Sequence, residues 1–226
     1  DVLVGGAGTD TAIFSNSFGR YTITIDDGVT IQDKGGFVGA STGMDMLDGV
    51  ELLSFEGDFS FVADGAVDLS VLEGGASLSA DQFEMLVELY VAYFNRAPDA
   101  LGLLFWADAL AEGSSMRDIA ELFFQQPETQ AKMPDSLSFG DLVDLAYDHV
   151  LERSPDDAGR AFWVDALETG GISRADFMLE LLAGARAPTG SPEDVRTIED
   201  KTDIGVSYAL INGLTLVPEA ETVLEL

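Results

Sequence analysis

The strongest structural signal in this chain is the stretch RAPDALGLLFWADALAEG at residues 96–113, because it occurs twice. It returns 57 residues later as RSPDDAGRAFWVDALETG, at residues 153–170. A tyrosine precedes each copy, at Tyr90 and Tyr147, and each copy holds one of the two tryptophans of the chain. A long spaced phrase that returns with both tryptophans in the same position indicates an internal duplication.

The repeated phrase predicts a corner between two helices. A proline disfavours helical geometry in the residue before it, so the first helix ends near the arginine. The aspartate caps the next helix, the glycine three residues later lets a neighbouring backbone come close, and Phe-Trp supplies apolar filling. We expect the arginine to bond carbonyl groups at the end of the first helix or the capping aspartate. Structural roles are therefore assigned to Arg96, Asp99, Trp106, Arg153, Asp156 and Trp163.

Outward from this phrase, apolar residues keep a helical period from about residue 79 onward. Ser79 and Gln82 have the spacing of a capping box, and Ser191-Pro192 opens a late helix. The predicted helices cover residues 80–95, 100–111, 116–125, 139–151, 157–168, 174–183 and 192–211. With repeats at about 83–125 and 140–183, this half of the chain is predicted to be an all-α bundle.

The first 76 residues have a different texture, rich in glycine, threonine and aspartate. Residues 21–25 alternate between polar and apolar, Asp26-Asp27-Gly28 reads as a turn, and residues 29–31 resume the alternation, which predicts a β-hairpin. Further strands are predicted at 50–55 and 59–62, and the apolar, glycine-rich residues 65–76 join the two parts. The fold class is α+β, with units at 1–76, 77–190 and a C-terminal helix and tail at 191–226.

A glycine-aspartate phrase lies at the N-terminus. Residues 5–13, GGAGTDTAI, fit the nonapeptide G-G-x-G-x-D-x-U-x of calcium-binding parallel β-rolls, and residues 1–4 fit the end of a preceding copy. Aspartate and turn carbonyl oxygens suit a hard cation. The expected ligands are Asp1, Gly6, Gly8 and Asp10, although a glycine-rich turn with solvated aspartates would show the same residues. The phrase indicates that the chain begins inside an array and is a fragment of a longer protein.

Residues 1–60 resemble the last coils and C-terminal β cap of repeats-in-toxin (RTX, hemolysin-type calcium-binding) proteins. The stretch GMDMLDGVELLSF at residues 43–55 is similar to the phrase that often follows such repeats. Residues of about 80–185 resemble the domain of unknown function 4214, which commonly follows those repeats and is distantly similar to phycobilisome linker domains. The resemblance implies a β-roll end and β cap, bound Ca²⁺, and secretion from a bacterium by a type I route.

Composition excludes several classes of function. With 41 acidic and 11 basic side chains the formal net charge is −30, which argues against nucleic acid and anionic bilayers as partners. No apolar run is long enough to predict membrane insertion, and the absence of cysteine excludes thiolate zinc and disulfides. The sequence Gly39-Ala40-Ser41-Thr42-Gly43 matches a nucleophile elbow by chance, because no helix is predicted after it. His149, the one histidine, corresponds to Ala92 in the first repeat and is not expected to be a catalytic base.

The function expected from these observations is that of a non-catalytic C-terminal module of a secreted, extracellular RTX-type protein, with folding and secretion assisted by calcium. The alternative is an interaction module that binds an unidentified protein or glycan through its paired helical repeats. That alternative predicts exposed apolar or aromatic surface between the repeats, and two fully buried tryptophans would count against it. Any catalysis of the parent protein is expected in an upstream domain of the same chain, and an enzyme within these residues is the least favoured interpretation.

Overall fold

The computed structural model describes residues 1–16, 18–26, 28–34, 43–56, 66–211 and 223–224. Strands come first along the chain and helices follow, which confirms the α+β class. The strands are β1 (Val2–Val4), β2 (Thr11–Phe14), β3 (Tyr21–Asp26), β4 (Gly28–Asp33), β5 (Met44–Asp48), β6 (Leu52–Phe55) and β7 (Ala66–Asp68). The helices are α1 (Leu69–Ala76), α2 (Ala80–Phe94), α3 (Ala100–Ala111), α4 (Met116–Gln125), α5 (Pro127–Lys132), α6 (Phe139–Leu151), α7 (Asp157–Glu168), α8 (Arg174–Ala185) and α9 (Pro192–Val206).

The strands form two small sheets, and the chain passes from the first sheet to the second between β1 and β2 and again between β5 and β6. One sheet has the order β1-β5-β4-β3 and the other has the order β2-β6-β7. β1 pairs in parallel with β5, and β2 pairs in parallel with β6. The unit β1–turn–β2 therefore lies directly on the unit β5–turn–β6, as two successive coils of a parallel roll do.

The predicted hairpin is confirmed, since β3 and β4 pair in antiparallel register from Tyr21↔Asp33 to Asp26↔Gly28. The strand predicted at residues 50–55 begins only at Leu52. The strand predicted at residues 59–62 lies outside the described residues. Between the sheets, the rings of Phe14, Tyr21 and Phe55 meet with centroids 5.2 to 5.5 Å apart and form the core of this part.

The predicted helices are confirmed within one or two residues at most ends, although α9 stops at Val206 and a π-helical turn covers Ser207–Ile211. Their starts agree because a side-chain cap stands at each one. Ser79, Ser115, Ser138 and Ser173 each accept a hydrogen bond from a backbone N–H three residues later.

Two helices were not predicted. Asp68 caps α1 by accepting a hydrogen bond from the Ser70 amide. Residues 69–76 of the joining segment at 65–76 are therefore a helix, and this helix lies against α3. The second is α5, a helix of six residues that begins at a proline. Both are short, and their apolar pattern alone is too brief to show a helical period.

Equivalent helices of the two repeats face each other across the bundle. α2 contacts α6, its counterpart in the second repeat, and α4 contacts α8 in the same way. The fully buried side chains Leu86, Val87, Tyr93, Phe123 and Phe177 belong to one continuous core that both repeats supply. α9 lies against α2 and α6 and covers one side of this core.

Candidate functional site

The turn between β1 and β2 brings three of the four expected calcium ligands together. Gly6 and Gly8 have φ of +108° and +119°, a left-handed geometry that glycine adopts without strain. Asp10 closes the turn, and its backbone carbonyl accepts hydrogen bonds from the Glu51 and Leu52 amides at 3.2 and 3.0 Å. These bonds fasten the turn to the start of β6 in the next coil.

The Asp10 carboxylate is the notable polar group of this turn. Its Oδ2 is buried and has no hydrogen-bond partner. Its backbone N–H donates to Glu51 Oε2 at 2.9 Å, so a second carboxylate lies beside the turn. Glu51 is not among the ligands predicted from the sequence. The signal that could have indicated it is the similarity of residues 43–55 to the phrase that follows calcium-binding repeats.

Asp1 lies at the opposite end of the coil. Its amino group donates to the Met44 carbonyl at 2.9 Å and lies 3.4 Å from the Asp45 carboxylate, at the start of the β1–β5 pair. The Gly5 amide, at the other end of that pair, donates to the Asp48 carbonyl. The structure therefore separates Asp1 from Gly6, Gly8 and Asp10 by the length of a strand.

An acidic cavity of about 350 Å³ borders the second coil, with Asp48, Gly49, Glu51, Asp68 and Glu73 among its lining residues. Among the described residues, no three carboxylate, imidazole or thiol groups are placed to hold a metal ion together. A cation at the Gly6–Asp10 turn would therefore depend on backbone carbonyl oxygens in addition to carboxylates.

In the helical half, each motif arginine is clamped by a carboxylate from a later helix. Arg96 donates from Nε and Nη2 to both oxygens of Glu128 at 2.9 and 3.1 Å. Arg153 donates in the same way to Asp194, with both distances 2.7 Å. Each arginine also donates to the carbonyl of the residue after it, at Ala97 and Ser154, which lie just beyond the helix ends whose carbonyls were the predicted acceptors. The carboxylate partners were not predicted, because they lie 32 and 41 residues away along the chain.

The two capping aspartates act as predicted, with one Oδ1 of each accepting a hydrogen bond from a helix N–H. Asp99 accepts from Gly102 and Asp156 accepts from Gly159, both at 2.7 Å. Burial raises the pKa of the Asp99 carboxyl, and the hydrogen bond from Gly102 and the charge of Arg96 offset part of that increase.

The expectation for the motif glycines was wrong in one respect, because a side chain and not a backbone comes close. A Cβ atom at Gly102 would lie 2.6 Å from the Tyr90 hydroxyl oxygen, and one at Gly159 would lie 3.0 Å from that of Tyr147. The tyrosine of the repeat therefore occupies the space that the glycine leaves free. This contact explains why tyrosine and glycine return together in both copies.

The second copy of the motif is more open than the first. The Arg96 side chain is 6% exposed, whereas that of Arg153 is 40% exposed. A cavity of about 390 Å³ lies beside the second copy, and Tyr147, Arg153, Asp156 and Trp163 line it. Trp163 donates from Nε1 to the Tyr147 hydroxyl at 3.2 Å.

Both tryptophans are partly buried, and the phenylalanine before each one is exposed. Phe105 is 56% exposed and Phe162 is 63% exposed. Each ring contacts its neighbouring indole edge to face, at 5.1 and 4.9 Å. The helical half thus presents an aromatic side chain to solvent at the same position of each repeat.

His149 and the elbow-like sequence are the two features for which no catalytic role is expected. His149 is a buried residue of α6, and its ring bonds the backbone of Ala92 on α2. Its Nδ1 has no hydrogen-bond partner, and burial lowers its pKa to about 4. Residues 39–42 of the elbow-like sequence lie outside the described residues. In the part of the chain that the structure describes, no helix is both long enough and apolar enough to cross a membrane.

Comparisons with known proteins find a match for one part of the chain. No curated protein and no solved structure matches it. Residues 120–186 match the family model described as Domain of unknown function (DUF4214). The matched segment runs from within α4 to the end of α8 and so includes the whole second copy of the motif. Residues 120–186 of this chain are therefore similar to this family, whose function is unknown.

Proposed function

We propose that this chain is a non-catalytic module of a secreted bacterial RTX-type protein, and that calcium bound at its N-terminal coil assists its folding. The observation that carries the proposal is the stacked pair of coils, in which the Gly6–Asp10 turn lies on the Gly49–Glu51 turn. Asp10 Oδ2, buried without a partner, is a carboxylate oxygen that a cation would satisfy.

The outer edge of the coil supports a place next to further coils. β1 and β2 are both edge strands, and nothing described here pairs with their outer sides. Val2 is 59% exposed, Val4 68% and Ile13 69%, so this edge presents apolar side chains in addition to unpaired backbone groups. Such an edge suits the addition of another parallel coil from an upstream domain.

Calcium would couple folding to the compartment. A ligand that binds only the native state stabilises that state by mass action, so low cytosolic calcium leaves the coil loosely folded and extracellular calcium stabilises it. At a concentration of about one hundred times Kd the gain is about 2.7 kcal/mol, or about 5–10 °C for a chain of this size.

The test is thermal unfolding of the chain in EDTA, in calcium and in magnesium at constant ionic strength. We expect calcium alone to raise the midpoint, and we expect Asp10→Asn to abolish the rise. Asp1→Asn is the matched control, since Asp1 lies at the other end of the coil and its substitution should leave the rise intact. Equal midpoints in EDTA and calcium would contradict the calcium role, and a parent protein found only in the cytoplasm would contradict secretion.

A second candidate function is an interaction module for a protein or glycan, and the exposure of Phe105 and Phe162 favours it. Exposed aromatic side chains at equivalent positions are typical anchors of a binding surface. The test is retention of extracellular proteins and polysaccharides of the source bacterium on the immobilised chain. We expect Phe105→Ser/Phe162→Ser to lose what the native chain retains, whereas Met85→Ser, a substitution of an exposed residue on α2, should not. Equal retention by all three would contradict this function.

A further inference from the structure

The cavity lies in the second repeat, where two rings of the first repeat have no counterpart at the equivalent positions and the covering helix begins farther along the chain. Phe94 and Phe123, which contact each other at 4.8 Å beside Tyr90, correspond to Leu151 and Glu180. Phe177 restores one ring, 5.5 Å from Trp163. The aromatic side chains of the second repeat therefore fill less of the space beside Trp163 than those of the first repeat fill beside Trp106.

The covering segment also differs. In the first repeat, α5 starts two residues after α4 ends, and its Glu128 closes over Arg96. In the second repeat, α9 supplies Asp194 for the same purpose, but residues 186–191 separate it from α8. Thr189 and Gly190 in this longer segment are among the residues that line the cavity.

Each charged group that lines the cavity has a partner within the fold. Arg153, Asp156 and Asp194 are the charged lining residues described for it. Arg153 and Asp194 neutralise each other in a two-point ion pair, and Asp156 accepts a hydrogen bond at the N-terminus of α7. The cavity therefore offers carboxylate acceptors and hydroxyl groups at Thr189 and Ser191. Its one carboxylate without a cationic side-chain partner, Asp156, lies at the N-terminus of α7, where the partial positive charge of the helix offsets it.

We propose that this cavity binds a neutral sugar residue. A pyranose ring has an apolar face of C–H groups, which would contact the partly buried Trp163, and hydroxyl groups, which would bond the carboxylates and hydroxyls around it. A volume of about 390 Å³ is within the range of small-molecule pockets. The inference rests on the second proposed function, since it names the ligand class of the helical repeats.

The experiment uses the two tryptophans as separate reporters. Trp106→Phe leaves Trp163 as the one indole of the chain, and Trp163→Phe leaves Trp106. Indole emission of each variant, and heat of binding to the native chain, are measured during titration with glucose, galactose, mannose, N-acetylglucosamine and their disaccharides. We expect a saturable change in Trp106→Phe with millimolar Kd, and none in Trp163→Phe.

A blocking variant and a matched control complete the test. Thr189→Phe places a ring in the lining of the cavity and should weaken binding by at least about tenfold, because the ligand loses its space and its hydrogen bonds. Thr169→Phe, an exposed threonine at the end of α7 outside the cavity, should bind as the native chain does. Circular dichroism verifies that each variant is folded.

Three outcomes would overturn the proposal. They are no saturable response to any of these sugars in native chain or variants, an equal response in both single-tryptophan variants, and a response to choline or acetate in place of sugar. The retention experiment with Phe105→Ser/Phe162→Ser distinguishes these outcomes from failure of the interaction function itself. Retention that depends on the phenylalanines but not on Thr189→Phe would leave that function standing without this ligand.

Discussion

Tyr90 and Gly102 form one contact between a side chain on α2 and the first turn of α3. The glycine has no Cβ, so the Tyr90 hydroxyl can approach the α3 backbone next to the capping carboxylate of Asp99. The same three residue types meet in the second repeat at Tyr147, Asp156 and Gly159. In both repeats the tyrosine hydroxyl therefore lies against the first turn of the helix that follows the corner.

The first prediction concerns this contact. Gly102→Ala should destabilise the chain by about 1–3 kcal/mol, because the added methyl overlaps the Tyr90 hydroxyl and outweighs the better helix propensity of alanine. Gly159→Ala should cost less, since the corresponding distance is 3.0 Å and not 2.6 Å. Urea unfolding of both variants measures the difference.

Tyr90→Phe serves as the control for this prediction, because it removes the nearest oxygen that the methyl would meet and leaves Asp99 Oδ2, at 2.7 Å, in place. In the Tyr90→Phe background, Gly102→Ala should cost clearly less than in the native chain. Identical costs in the two backgrounds would show that the overlap with the hydroxyl is not the cause.

At the scale of helices, the sequence predicts the first residue of a helix best where a capping residue stands directly before an apolar stripe with helical spacing. Ser79 and Ser173 stand before long apolar stripes, and both helices begin where these residues predict. α1 contains Gly74 and Gly75, which lower its helix propensity, and its contact with α3 stabilises it. Tertiary contacts of this kind leave no periodic signal in one sequence.

In the candidate site, the carboxylate partners of the motif arginines also depend on tertiary contacts that one sequence does not reveal. Glu128 and Asp194 each follow a proline in the first turn of a helix, in the phrases Gln126-Pro127-Glu128 and Ser191-Pro192-Glu193-Asp194. This similarity could have suggested equivalent roles for α5 and α9. Their pairing with Arg96 and Arg153 could not be predicted, because it depends on how distant helices pack. Likewise, the separation of Asp1 from Asp10 follows from strand pairing and not from the nine-residue spacing.

The second prediction concerns the contact between α2 and α6. His149 is buried there, and burial lowers its pKa from 6.5 to about 4. Between these pH values the unfolded chain binds a proton on His149 and the native state does not. The contribution of His149 to the free energy of unfolding should be fully present above about pH 6.5 and should decrease as the pH drops toward 4. The loss expected from this group between pH 7 and pH 5 is about 2 kcal/mol. His149→Gln, which stays neutral, should lack this part of the loss.

Chemical unfolding of the native chain and His149→Gln at pH 7 and pH 5 provides the measurement. The difference between the two proteins isolates the histidine, because burial also raises the carboxyl pKa values of Glu88 and Asp99 and acts in the opposite direction in both. The same loss in both proteins would show that His149 is not responsible.

At the scale of the whole molecule, negative charge dominates. The few basic residues are largely committed to ion pairs, such as Arg117 with Asp176 and Glu180, Arg160 with Asp144, and Arg186 with Glu88. These pairs join different helical segments, so the cations are paired within the molecule, in part on its surface. A net charge of −30 remains and repels itself in the compact state.

The third prediction follows from that repulsion. Adding sodium chloride in EDTA should raise the unfolding midpoint by about 2–4 °C, equivalent to about 1 kcal/mol, because counterions screen the like charges. Differential scanning calorimetry across salt concentrations measures the shift, with sucrose at matched osmolality as the uncharged control. A midpoint that falls with salt would mean that the ion pairs between helices outweigh the repulsion.

The face-to-face placement of equivalent helices has a consequence for the origin of this bundle. α2 meeting α6 and α4 meeting α8 is the arrangement that a symmetric homodimer of one repeat would have. Fusing two such copies turns their association into an encounter within one molecule, at an effective concentration that no longer depends on dilution. Freed from identical sequences, the two halves could then diverge, one closing around its arginine and the other leaving room beside it.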